Sequence, residues 1–426
     1  MNFVFLNQYY PPDAAPTGVM LAGVVEELTK AGHEVTVICA KGGYASKQIR
    51  SDEEAGDKRD EGTGMRVLRV GATSFGRGTF LGKLVDYLSF YLGVAWALAT
   101  LSCRGSGPQR IVALTTPPYL SLWARVFSKL HGADHAHWVM DLYPDVMEAH
   151  GMLKPGGIFN RVLGALTRWG FGGERCACVL SLGPDMAERV GGYLGEGEKS
   201  PWVPLWSSST IDAPDAEKVS ELRAARGWAD DELVLMYSGN MGLGHLFDEV
   251  LEVAGKQGIE KWEAGAGAPR FVFYGGGKRR VEIEQFVATH RDAAVELHDY
   301  VDADDLSTHL ASADVHLVSL RPEWDGAMVP SKLQGVFAIG RPVIFIGSED
   351  SSIGQWVLES GAGWVVPPGD VEGLESAIAA AEDSAGRCRR GQLARDYASK
   401  HFDRESNAAR VAALLAEFVE YSNTKP

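Results

Sequence analysis

Hydrophobic positions fall in short β-branched blocks, separated by longer stretches in which apolar residues recur at helical spacing. The blocks Asn2–Leu6, Glu34–Cys39, Met65–Val70, Gln109–Thr116, His135–Met140 and Cys176–Leu182 predict strands. Between them, Val19–Ala31, Thr79–Ser102, Leu120–Gly132 and Gly157–Gly170 predict helices. Strand, helix, strand is the unit of a parallel sheet. Lys41–Thr63 is charged and Gly-containing with no apolar period, so an exposed insertion is expected there. The Pro-punctuated segment Ser200–Thr210 interrupts the alternation and marks a linker. After it the pattern restarts. Strands are expected at Leu233–Ser238, Phe271–Tyr274, Val295–Leu297, Val315–Leu320, Pro342–Ile346 and Gly361–Val366. Helices are expected at Ala216–Gly227, His245–Ala254, Arg280–His290, Asp304–Ala313, Val371–Ala381 and through Arg387–Tyr421. The fold class is α/β, with two Rossmann-like doubly wound domains facing across a cleft and boundaries at 1–205 and 206–395.

Composition narrows the picture. A chain of 426 residues is comfortable for two domains. A formal charge of −15 argues against a nucleic-acid partner, whose footprint is basic. None of the five cysteines stands in a strong metal or redox spacing; Cys176 and Cys178, two apart on one strand, are expected to share a face as buried thiols in a reducing cytosol. Met1–Leu6 lacks a basic leader and meets Asn7 and Gln8 at once, so it reads as a first strand and a cytoplasmic setting is expected. Tyr87–Leu101 is apolar but shorter than a membrane span. It reads either as a buried helix or as an aromatic surface docking on a bilayer, and both readings stand.

Ligands of doubly wound sheets bind at the carboxyl ends of the strands. Five such loops here carry suitable groups: Pro12–Gly18, Asp141–Asp145, Ser238–Gly242, Gly275–Lys278 and Pro330–Leu333. Gly18, Gly239, Gly242 and Gly275–Gly277 allow close approach of a phosphate or sugar, and equally satisfy ordinary turn geometry. Asp13, Asp141, Asp145, His245, Lys278, Arg279, Glu323, Asp325 and Lys332 are the charged candidates. Trp138, Tyr143 and Trp206 are candidates for stacking, or for the core. Asp141 and Asp145 lie four apart across a proline, a weak basis for paired-carboxylate hydrolysis. In Pro330–Ser331–Lys332, Ser331 is a cap candidate and Lys332 a cation beside helix amides, an arrangement suited to a diphosphate. G-x-G-x-x-G after the first strand, H-E-x-x-H and the Walker A motif are all missing from the sequence.

Several motifs in order, NQYYPPDAAPTG, DLYPDV, YSGNMG, FYGGG, ASADVHLVSL, VPSKLQGVFAIGRPVIFI and GAGWVVPPGD, resemble the retaining nucleotide-sugar glycosyltransferases of family 4. Within that family they resemble the branch that builds bacterial surface polysaccharides, including N-acetylfucosamine transferases. The resemblance implies a GT-B fold, with the acceptor on the first domain, the nucleotide sugar on the second, and a helical crossover, 396–426, docking back on the first. It implies a UDP-sugar as co-substrate with no further cofactor and no metal. It also implies a glycan or polyprenyl-diphosphate-saccharide acceptor, while Tyr87–Leu101, read as a docking surface, would give a peripheral place at the inner membrane face. Carried over by motif, Gly18, Gly239, Asn240, Gly277, Lys278, Ser331, Lys332 and Leu333 would hold the donor. Asp141, His245 and Lys332 would serve catalysis. Asn240 and His245 replace the usual arginine and lysine, and Gly335 stands where many relatives have a glutamate. A UDP-sugar epimerase of the same fold and a catalytically degenerate membrane-associated binding subunit are the alternatives.

Overall fold

The computed structural model describes residues 1–13, 15–41, 58–60, 64–73, 75, 80–103, 107–195, 200–207, 211, 214–264, 269–301 and 305–417. The chain divides into two compact units: Met1–Pro204 with Gly326–Met328 and Arg404–Pro426, and Leu205–Asp325 with Val329–Asp403.

The first unit contains β1 (Asn2–Leu6), α1 (Pro16–Lys30), β2 (Glu34–Ala40), β3 (Lys58–Asp60), β4 (Met65–Val70), α2 (Phe80–Cys103) and β5 (Arg110–Ala113). It continues through α3 (Leu120–His131), β6 (Asp134–Trp138), α4 (Asp145–Ala149), α5 (Ile158–Phe171), β7 (Cys176–Leu180) and α6 (Pro184–Gly191). Its sheet runs β3-β4-β2-β1-β5-β6-β7, parallel except for β3 against β4. Without β3 this is the doubly wound order, reversing between β1 and β5. The expectation of an unstructured Lys41–Thr63 is corrected at β3, because residues 58–60 gain ladder partners at 65–67 that no local pattern reveals; most of that stretch lies outside the described residues.

The second unit holds α7 (Ala216–Ala225), β8 (Val234–Ser238), α8 (Asp248–Ala264), β9 (Arg270–Tyr274), α9 (Arg280–Thr289), β10 (Val295–His298) and α10 (Leu306–Ala311). Then come β11 (Val315–Ser319), α11 (Lys332–Ala338), β12 (Val343–Ile346), α12 (Ser352–Ser360), β13 (Gly363–Val366), α13 (Val371–Ala381) and α14 (Ser384–His401). All strands are parallel, in the order β10-β9-β8-β11-β12-β13, so the reversal falls between β8 and β11. Strands covered on both faces read as continuous apolar runs. On β8, Leu235 and Tyr237 enter one apolar cluster while Val234 and Met236 enter another.

The last helix, α15 (Arg404–Ala416), belongs to the first unit. Arg110 donates to the carbonyls of Leu415 (2.5 Å) and Glu417 (2.7 Å), and Asn407 Nδ2 donates to the Pro204 carbonyl at 3.2 Å. Helix α2 buries one set of its apolar side chains and exposes another. Phe90, Val94, Ala97, Leu98 and Leu101 pack into the core, whereas Leu81, Leu88, Leu92 and Trp96 are exposed. Leaving such side chains in water forgoes roughly 1.5–3 kcal/mol each.

Candidate functional site

The reversal of strand order in the second unit opens a crevice beyond the carboxyl ends of β8 and β11, and the loops there carry the donor-side candidates. Gly239, Gly275 and Gly277 all have positive φ, at 136°, 125° and 135°. A Cβ on Gly275 would meet the Gly239 carbonyl at 2.2 Å, and one on Gly277 the Met241 carbonyl at 2.4 Å, so the two loops interlock as bare backbone. A Cβ on Gly239 would meet Lys332 Cε at 2.6 Å. The glycine therefore makes room for the lysine.

Lys332 opens α11 and reaches back over β8. Its ammonium lies 2.5 Å from the Tyr237 hydroxyl, 3.2 Å from the Asn240 carbonyl and 3.0 Å from His245 Nε2, and stands over the Tyr237 ring at 4.3 Å. The Tyr237 hydroxyl donates in turn to the Asn240 carbonyl at 2.7 Å. His245 Nδ1–H donates to the Ser319 carbonyl at 2.7 Å, which leaves Nε2 as the acceptor facing Lys332. Every partner of the ammonium is neutral. No carboxylate pairs with it among the described residues.

Burial pulls the Lys332 ammonium down to about 7, and burial together with the neighbouring Lys332 charge pulls His245 down to about 3. Near neutrality His245 is thus a neutral imidazole that orients the lysine. Lys332 itself is poised to gain a proton when an anion arrives.

The first unit gathers a different set. Asp141 follows β6, with its N–H donating to Thr115 Oγ1 at 3.0 Å and its backbone bridged to Met328. It lines a small cavity of about 20 Å³ with Thr115, Tyr119, Ser121, His137, Tyr143 and others. Burial raises its carboxyl to about 6. Tyr119 holds φ 65°, the one positive value outside glycine among the described residues, and its hydroxyl lies beside Thr167. A strained residue lining a cavity with a carboxyl suits a hydroxylated ligand.

The other candidates separate by environment. Gly18 sits where a Cβ would come within 3.0 Å of the Tyr9 backbone, so its small size seats α1 against its own loop. Asp145 opens α4, bound to Arg189 Nε (2.9 Å) and the Tyr193 hydroxyl (2.6 Å); it is not a partner for Asp141. Lys278 and Glu323 are exposed, whereas Leu333, Trp138 and Trp206 are core residues, leaving only the backbone of Leu333 for a ligand. Arg279 is buried, donating to the His245 carbonyl and pairing with Glu282 (2.6 Å) and Asp248 (3.2 Å), so it holds the His245 loop in place. Two expectations are corrected. His245 precedes α8 rather than lying in its first turn, because Ser319 and Arg279 hold its segment out of the helix. Ser331 precedes α11 but makes no side-chain cap. Gly335 is buried within α11, with a Cβ position 3.7 Å from Leu310 and Ser207. Sequence reasoning missed Tyr237 and Tyr119; the signal for the first was its place one residue before the end of β8, where an outward polar tip reaches the ligand loops.

Residues 234–383 match the family model described as glycosyl transferases group 1. The chain is 26% identical over 412 residues to the putative colanic acid biosynthesis glycosyl transferase WcaI of Escherichia coli K12, covering 95% of this chain and 97% of that one. It is 24% identical over 324 residues to the probable glycosyltransferase WbjE of Pseudomonas aeruginosa, covering 74% and 78%. Anabaena HepE, solved with UDP-glucose, superposes with a TM-score of 0.66 at 14% identity, covering 98% of this chain and 99% of that one. The fold is GT-B, two Rossmann-like α/β domains.

Proposed function

We propose that this chain, a GT-B glycosyltransferase that uses a UDP-sugar, transfers a hexose or N-acetylhexosamine with retention of anomeric configuration to a lipid-linked saccharide or glycan in polysaccharide synthesis. The observation that carries the donor assignment is Lys332, a half-buried ammonium held by Tyr237, Asn240 and His245 with no carboxylate counter-ion among the described residues. The Gly239–Met241 turn, interlocked with Gly275–Gly277 through backbone, and the start of α11 adjoin it in the fold, and a diphosphate is the charge such a setting lacks. The UDP-glucose complex of HepE and the group 1 match over this same unit support a nucleotide sugar as that ligand.

In mechanism, Lys332 stabilises negative charge that grows on the departing UDP, an interaction stronger in the transition state than before it. His245 keeps the ammonium aimed without competing for the phosphate. Asp141, protonated in part near neutrality, faces the acceptor side and positions the attacking hydroxyl beside Tyr119. Attack on the face the nucleotide leaves gives retention, and the UDP oxygen receives the acceptor proton. The acceptor is a polyprenyl-diphosphate saccharide or related glycan, and the N-acetylfucosamine-transferase branch supplies the sugar class to try first. The exposed stripe of α2 and the exposed Ile158, Phe159 and Val162 of α5 support a peripheral place on the inner membrane face.

Incubation with a panel of UDP-sugars and prenyl-diphosphate saccharides, read by mass spectrometry and by anomeric NMR, tests this reading. A retained product from one UDP-sugar is expected. Donor isomerised without acceptor would make the chain an epimerase, and donor neither bound nor consumed would make it a degenerate binding subunit.

A further inference from the structure

A buried cluster in the first unit lies apart from the donor machinery. His135 and His137 alternate on β6 and so share one face of the sheet. Cys176 and Cys178 would be expected to share a face by the same rule, but the ladder between β6 and β7 slips. His135 pairs with Cys176, Ala136 with Cys178 and His137 with Val179, so Ala177 is the extra residue of a bulge. The bulge turns Cys178 to the opposite face, beside Arg110, and leaves Cys176 with the histidines. Two imidazoles and one thiol are brought together, with ligand atoms all within 4.8 Å of one another.

Three of the four imidazole nitrogens lack a hydrogen-bond partner. Ser128 Oγ meets His135 Nδ1 at 3.1 Å, while His135 Nε2 and both nitrogens of His137 are buried without one. Both residues are 1% exposed. The Gly170 and Gly172 carbonyls lie near enough to raise the rings' basicity slightly without meeting hydrogen-bond geometry. Buried nitrogens left unmet are destabilising. Such an unmet set beside a thiol needs an explanation.

We propose that His135, His137 and Cys176 bind a divalent late transition-metal ion, Zn²⁺ or a chemical equivalent. Two neutral imidazoles and a thiolate are the donors that borderline ions prefer. The single negative charge of the thiolate partly offsets the nearby Arg125 guanidinium, which contacts the same segment. Closing from 4.8 Å to the spacing of a tetrahedral site takes a shift of about 1 Å, since bonds to zinc run about 2.0–2.3 Å. His137 also lines the cavity of about 20 Å³ next to Asp141, which has room for about one water as the fourth ligand. Binding releases the thiol proton and leaves the metal oxidation state unchanged. The ion joins the strand that leads directly into Asp141 to its neighbour β7, so it braces that loop and takes no part in donor chemistry.

Co²⁺ titration of the full chain, followed by absorbance, tests the site. A thiolate-to-cobalt charge-transfer band and tetrahedral ligand-field bands are expected, saturating at one ion per chain and displaced by Zn²⁺. Cys176→Ser, nearly isosteric, is expected to abolish the charge-transfer band while keeping the circular dichroism of the parent; His137→Gln is expected to weaken binding at least tenfold; Cys178→Ser and Cys388→Ser are expected to keep the parent spectrum. Absence of the band in the parent chain, or its survival in Cys176→Ser, overturns the proposal. Neither result bears on the donor site, which is read independently by UDP-sugar binding.

Discussion

The two sheets share one strand order and furnish its turning point in opposite ways. In the second unit, loops beyond β8 and β9 are glycines at positive φ interlocked as backbone, with one ammonium behind them. In the first, the loop after β1 contains no glycine between Asn7 and Ala15, and the site near β5 and β6 is built from tyrosine rings and a carboxyl held near 6. Topology alone therefore places the second unit's site at its reversal and the first unit's one strand beyond it, and leaves the charge of each open. The residue types in the loops decide it: bare glycine backbone and a cation suit a diphosphate leaving group, and ring faces with a carboxyl suit a hydroxylated acceptor.

The largest expected effect breaks the contrast at its cationic end. Lys332→Ala is expected to lower kcat/KM up to about 10³-fold, the scale of losing one pre-placed charge stabiliser, with thermal stability near the parent's. Steady-state kinetics beside a melting curve checks both. Next, Asp141→Asn is expected to lower transfer by about 10²-fold while UDP-sugar affinity, read by calorimetry, stays unchanged; an equal loss of donor affinity would remove the distinction between the units. Gly277→Ala is expected to cost about 1–3 kcal/mol of stability and to weaken donor binding, because its Cβ would collide with the Met241 carbonyl. Gly18→Ala, tight against Tyr9, is expected to cost stability with donor affinity intact. A further effect is in pH. His245, His309 and His316 are held by burial at about 3, 3 and 4. Stability from keeping them neutral is complete above their unfolded value of about 6.5 and is lost as pH falls toward 4 and 3. Denaturant midpoints at pH 7 and pH 5 check that slope.

Much of this was legible in sequence. Asn2–Leu6 and Val371–Ala381 form the elements their patterns predict, because both faces of that strand and one face of that helix are buried; Met65–Val70 forms its strand although half-buried throughout. Lys332 was legible as the lysine following Pro330 and Ser331 at a helix start. Its partners were not, since Tyr237, Asn240 and His245 lie 95, 92 and 87 residues away and meet it only through the sheet. Helix α12 escaped notice although Ser351 caps it, accepting from the Gly354 N–H at 3.1 Å. The Cys176 face was illegible for a physical reason: a one-residue bulge reverses alternation without leaving a mark in residue type.

The central claim is that a neutral-leaning Lys332 receives the diphosphate. A UDP-sugar has no titrating proton on its diphosphate near neutrality, so proton uptake on binding reports the protein. Free Lys332 sits near 7, and an adjoining diphosphate raises it, so at pH 8 binding is expected to draw most of one proton from buffer. Calorimetry of UDP-glucose binding at pH 8, in buffers of different ionisation enthalpy, measures that uptake directly. The account predicts uptake by the parent chain and none by Lys332→Met; binding without uptake, or equal uptake by both, would contradict it.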